Sequence, residues 1–327
     1  MARLNRALGM LGSALALTLA CWTGLPAPAA GAEKSQAAAP VQDPNGKKLA
    51  AAWEEYGFQN WERSVALFTE VKGSPTATEQ QKLQAQIGHI FLLEYRTPGR
   101  TPELAITEWE ALLPQLTGKF LPFAYMHLGN AYIVQAKPDY EKARNNFQKA
   151  LELVSDKKSS LGQQAVLYYL SSYLMRVDVK EIAAGLVKAD ELLPLIKGAR
   201  LAGAGHAMAA SMAMCLKDYP RAVKELKEQY GYGIYNRSNL EKVLFQLARL
   251  NEMELKNYEE AAKYFELLKK EVPTSAKAYY AGLRAAELRK GQIKTRLSLT
   301  PQELEKMEMK ELKDLDKTSE PVAPAKP

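Results

Sequence analysis

Three histidines, His89, His127 and His206, and one thiol outside the N-terminal region, Cys215, could in principle carry metal or nucleophilic chemistry. Metal sites draw such side chains from short, fixed spacings, and an activated nucleophile needs a base within hydrogen-bond reach. Here the histidines fall in three separate stretches. No HExxH, GxSxG, P-loop or CxxC pattern occurs. Gly203-Ala204-Gly205-His206 has the composition of a phosphate-cradling loop. Without a preceding strand, and in a helical register, its small residues are instead expected to let two helices touch. Carboxylates are plentiful, but none is set apart by spacing. The expectation is a protein with no catalytic residue, no metal, no cofactor and no small-molecule substrate. Cys215 lies in the apolar run Met208–Leu216 and is expected to be a small buried hydrophobe.

A different pattern fills the chain. Tyr140, Ala143, Phe147 and Ala150 are spaced 3, 4 and 3, which puts them on one helix face. Asp139 before them is an N-cap, and Leu128, Gly129, Ala131 and Tyr132 belong to a preceding helix. The same spacing returns at Trp61, Ser64, Phe68, Val71; at Tyr219, Ala222, Leu226, Gln229; and at Tyr258, Ala261, Phe265, Leu268. Ala105, Trp109 and Leu112 fit three of the four positions, and Lys180, Ala183, Val187 and Asp190 fit weakly. The small residues then stand at 64, 105, 143, 183, 222 and 261, at intervals of 38 to 41. A small residue between two large ones lets paired helices cross closely. A single pair cannot bury its apolar face, so neighbouring pairs must stack.

Leu128–Leu153 resembles the tetratricopeptide repeat, and the likeness extends over about residues 47–290. The period exceeds the roughly 34 residues usual for that repeat and drifts toward the roughly 40–47 of HEAT-like arrays. The extra residues are assigned to longer first helices and to loops such as Arg96–Pro102 and Lys137–Asp139. The resemblance implies an all-α, right-handed solenoid of about six to seven helix-turn-helix units. Pairs are expected near 47–72, 76–117, 121–155, 160–196, 199–230 and 238–272, with a last first-type helix at 275–290.

In that family the first helix of each pair lines a concave binding groove. Carried over position by position, the resemblance implies Trp53 and Tyr56 in the first unit, with Leu49 beside them. It implies Phe123, Met126, Asn130 and Ile133 in the third. Met214 follows in the fifth, with Ala207 and Ser211. Gln246 and Leu250 follow in the sixth, with Met253, and Tyr280 and Arg284 in the seventh, with Glu287. Asn130, Gln246 and Arg284 would contact a partner's backbone or carboxylate. The lysine near Met126 that carboxylate-clamping members need is missing.

The ends read differently. Met1–Arg6 is basic, Ala7–Ala20 apolar, and Trp22–Ala32 rich in Pro, Gly and Ala, ending in Ala30-Gly31-Ala32. That is the layout of a secretory signal peptide, residues 1–32. The alternatives are an uncleaved N-terminal anchor facing the periplasm, or a lipoprotein acylated at Cys21 after a poor lipobox, Thr18-Leu19-Ala20. Removal of Cys21 leaves Cys215 alone, so no internal disulfide is expected. Residues 33–46 read as a flexible linker. Residues 291–316 hold a capping helix, opened by the capping box Thr300-Pro301-Gln302-Glu303 with Leu304, Met307, Leu312 and Leu315 along one side. Residues 317–327 form a Pro/Ala-rich disordered tail. The formal charge of +7 falls to +5 without residues 1–32, and no basic stripe with interleaved aromatics points to nucleic acid. The expectation is a non-catalytic, periplasmic protein-protein interaction scaffold of the bacterial cell envelope, gripping a protein or peptide. The alternative is a recognition or regulatory subunit of an envelope enzyme or assembly complex.

Overall fold

Side-chain caps mark where the chain turns into helix. Asp43, Asp139, Ser159, Asp178, Asp218, Asn236, Asn257 and Ser275 each accept a hydrogen bond from a backbone N–H in the first turn of the helix that follows. The computed structural model describes residues 43–95, 101–175 and 178–293. These form an all-α fold of thirteen α-helices, with no strand among the described residues. The expected leader, Cys21, most of the linker, the loop after Tyr95, the capping-helix segment and the tail lie outside them.

Two compact units divide the chain, Met1–Gly233 and Ile234–Pro327. In the first, ten helices follow in five pairs. These are α1 (Pro44–Gly57) with α2 (Trp61–Gly73), α3 (Glu79–Tyr95) with α4 (Pro102–Leu112), and α5 (Phe120–Val134) with α6 (Tyr140–Leu153). Next come α7 (Ser160–Ser172) with α8 (Val179–Leu192), and α9 (Ala202–Cys215) with α10 (Tyr219–Gly231). In the second unit α11 (Arg237–Arg249) pairs with α12 (Tyr258–Glu271), and α13 (Ala276–Arg289) packs on α12. The expected pairs and the last first-type helix are all present among the described residues. Helix α1 starts at Pro44, inside the expected linker, because Asp43 caps it and Pro suits the first helical turn.

The longer period has visible sources. The first helix α3 runs 17 residues. Short 3-10 turns, Leu113–Gln115 and Leu193–Ile196, extend α4 and α8, and a π turn, Leu250–Glu254, extends α11. Three of the turns joining first to second helices share one design. Gln59, Lys217 and Lys256 take positive φ of 64°, 61° and 54°, one residue before the caps Asn60, Asp218 and Asn257.

Ser64, Ala105, Ala143, Ala222 and Ala261 are fully buried where helices cross. At the third pair, a Cβ on Gly129 would lie 2.6 Å from the Phe147 ring and 2.9 Å from the Ala143 carbonyl oxygen. The fourth pair corrects the expected register. Ala183, Lys180 and Asp190 are exposed and Val187 is 58% exposed, whereas Ile182, Gly185, Ala189 and Leu192 are buried. Both sets satisfy a helical period. The buried one wins because Gly185 lets α8 close onto Tyr173, where a Cβ would lie 2.5 Å from the tyrosine's own. The fourth pair shares one core with the second, third and fifth, its two helices held more by the helices on either side than by each other.

Candidate interaction surface

In the first unit an aromatic belt runs across the first-type helices α1, α3 and α5. Trp53 and Tyr56 on α1 meet Phe91 on α3, with ring centroids 6.0 and 5.2 Å apart. Phe91 meets Phe123 at 6.5 Å and His127 edge-on at 4.8 Å, both on α5. Trp109 of α4 and Phe68 of α2 back the belt from the core at 6.3 Å from Phe123 and 5.1 Å from Trp53. Phe68, Phe91, Trp109 and His127 are buried, while Trp53, Tyr56 and Phe123 are half-buried and keep part of each ring at the surface. Rings locked edge-to-face have little freedom left to lose when a partner covers them, which favours binding.

Of the sixteen residues implied by the resemblance, the belt unites Trp53, Tyr56 and Phe123. Ile133 is also half-buried, at the far end of α5. Met214 is half-buried on α9, near Ala207 and Ser211, whose hydroxyl donates to the Ala207 carbonyl at 2.9 Å. In the second unit Gln246, Leu250 and Tyr280 are half-buried and Met253 is 44% exposed. Tyr280 packs tilted against Phe245 and edge-on to Phe265, at 6.3 and 6.0 Å, and burial pushes its hydroxyl pKa up, with Glu252 adding to the shift.

Four implied contacts are corrected, Leu49 among them. Met126 is fully buried, and Asn130 and Arg284 are 2% and 1% exposed. For the first two the reason is that α5 is covered all round over its middle turns. Residues Met126 to Tyr132 are buried without a break, flanked by α3, α4, α6 and α7. The Asn130 side-chain amide nitrogen is buried with no hydrogen-bond partner. Arg284 is turned inward by charge. It donates to Glu252 at 2.8 Å, to Glu287 at 2.6 Å, and to the carbonyls of Gln292 and Ile293 at 3.0 and 2.6 Å. The π turn carries Glu252 into this position, where Arg249 also reaches it at 3.3 Å. Leu49, named beside Trp53, is core.

The sequence hid two other features. Phe91 joins the halves of the belt, but its helix matches the repeat pattern poorly. Glu225 of α10, 2% exposed, faces His206 Nδ1 at 2.6 Å and Arg221 at 2.7 Å, while Arg221 also bonds Asp190. Burial pushes the Glu225 carboxyl up, but His206 and Arg221 together outweigh it and hold its pKa below the usual glutamate value. His206 also stacks on Tyr232 at 5.6 Å, whose hydroxyl accepts from Gly198 N at 3.2 Å. The network ties α8, α9 and α10 together. The neighbouring glycines act as helix contacts: a Cβ on Gly205 would lie 2.4 Å from Leu193, and one on Gly203 3.1 Å from Tyr232. Cys215, expected to be buried, is exposed where α9 ends.

The class follows from the helix pairs and their register: an all-α helical-repeat fold. Residues 242–275, most of α11 through α12, match the family described as tetratricopeptide repeat. Among solved structures, the apo form of RapI is similar in fold, with a TM-score of 0.52 and 16% identity over 76% of this chain and 72% of that one. No curated protein matches the chain. Proteins built from this repeat generally bind protein or peptide partners and typically are non-catalytic. No helix among the described residues is long and apolar enough to cross a membrane.

Proposed function

We propose that this protein is a non-catalytic interaction scaffold of the bacterial cell envelope, which holds a segment of a partner protein against the aromatic belt of its first unit. The observation that carries the reading is the junction of Trp53, Tyr56 and Phe123 through Phe91. Two first-type helices, α1 and α5, present half-buried rings, and the buried Phe91 of α3 joins them over a buried aromatic base. Aromatic anchors of this kind dominate binding energy at protein interfaces. The matching ligand is a peptide segment with one or two large apolar side chains and free backbone amides. The envelope setting rests on the basic, apolar and small-residue layout of residues 1–32.

Selection of displayed peptides against the wild-type protein tests the binding face. Apolar-anchored peptides should be recovered and should lose at least tenfold in affinity for a Trp53→Ser, Phe123→Ser variant that remains folded. Peptides that bind the variant equally well would refute the site. Intact-mass measurement of the exported protein tests the leader. A chain beginning at Glu33 is expected, and a diacylglyceryl adduct on Cys21 would replace this reading with the lipoprotein.

A further inference from the structure

Helix α13 carries two large apolar residues one turn apart on its surface, Tyr279 at 76% and Leu283 at 52% exposure. Their positions are informative because α13 repeats the register of α5. The buried Ala124, His127, Asn130 and Ala131 of α5 correspond to the buried Ala278, Ala281, Arg284 and Ala285 of α13. In that register Tyr279 stands where Tyr125 does, and Leu283 where Gly129 does. Both α5 residues face the second helix of their own pair. Lys149 of α6 lies 5.4 Å over the Tyr125 ring, and Gly129 meets Phe147 and Ala143 of α6. The surface that Tyr279 and Leu283 share is thus the one on which α5 seats its own second helix. Among the described residues, α13 has no second helix after it.

We propose that residues 301–316 of this chain are the helix that covers this face. The chain continues for 34 residues past Ile293. Arg284 holds the carbonyls of Gln292 and Ile293, so the continuation leaves from α13 itself. Six residues, 294–299, then lead to a capping box at Thr300-Pro301-Gln302-Glu303. In helical register Leu304, Met307, Leu312 and Leu315 form one apolar stripe, the counterpart a two-residue apolar ridge needs. Residues 301–316 also hold six acidic and three basic side chains, enough to charge the side of such a helix away from the stripe. The second unit then closes as a complete helix pair with a charged outer surface, the polar end a repeat array requires.

Cysteine pairs in the full chain, with Cys21 and Cys215 changed to serine, test the contact. Leu283→Cys should form an intrachain disulfide with Leu304→Cys or Met307→Cys at least tenfold faster than with Lys306→Cys, which lies on the opposite side of the stripe. Equal rates for all three would overturn the proposal. A bond between two chains in preference to one would overturn it too, assigning the face to a second copy. Leu283→Asp keeps the test open if the cysteine variants misfold. It should lower the unfolding temperature and remove at least tenfold amide-exchange protection from residues 303–316. No change in either would mean that the face meets only solvent.

Discussion

The Arg284 guanidinium lies 2.8 Å from the Glu252 carboxylate, and the two side chains are 1% and 3% exposed. This buried pair joins the π turn after α11 to α13. Removing one partner of such a pair strands the other's charge away from water. Glu252→Ala should therefore destabilise the second unit by about 3 kcal/mol, read by chemical denaturation. Hydrogen exchange should place the loss in α11 to α13. A loss below about 1 kcal/mol would show that Glu287 and the two carbonyls suffice for Arg284.

Glu225 sets a pH dependence whose sign follows from its lowered pKa. A carboxyl with a depressed folded-state pKa contributes stability that is present above its unfolded pKa and lost as pH falls through the folded one. The contribution should be complete at pH 7 and decline progressively below the usual glutamate range. Glu225→Gln should lower stability at pH 7 and flatten the acid limb of the denaturation profile. A variant with an unaltered acid limb would contradict this role.

The three strained turns offer a stabilising change. Gln59, Lys217 and Lys256 hold left-handed backbone that glycine adopts without a Cβ penalty. Gln59→Gly, Lys217→Gly and Lys256→Gly should each raise stability by about 0.5–1 kcal/mol, once the added freedom of the unfolded chain is subtracted from the relief. Calorimetry on the single variants, which should add, checks it.

Gly129 and Asn130 separate two kinds of burial. Gly129→Leu overpacks against Phe147 and should cost about 1–3 kcal/mol. Asn130→Leu replaces a buried amide that lacks a hydrogen-bond partner with an apolar group of similar size, and should leave the melting temperature unchanged or higher. A lowered melting temperature for Asn130→Leu would indicate a bridging water or a polar contact.

The helix pairs were legible because a 3, 4, 3 spacing leaves few alternatives when it recurs at nearly constant intervals. It failed at α8, where Val179, Ala183 and Val187 form an apolar arc as regular as that of Ile182, Leu186 and Ala189. Only contact with Tyr173 distinguishes the two. Half-buried belt residues were found through the family's groove positions, but those positions also returned Met126 and Asn130. A helix apolar on every side carries no internal sign of which face stays open. Glu225 and Glu252 look like surface charges in sequence. Their partners, His206 and Arg284, lie 19 and 32 residues away, beyond any local pattern.

The central claim is that a partner lies along the aromatic belt. Site-specific photo-crosslinking tests it in the native setting, with a benzophenone amino acid placed at Tyr56 or Phe123, and at Val187 as an exposed control on α8. The expected result is one discrete protein adduct, shared by the two belt positions and missing at Val187. Adducts at Val187 alone, or the same adducts at all three positions, would contradict the account.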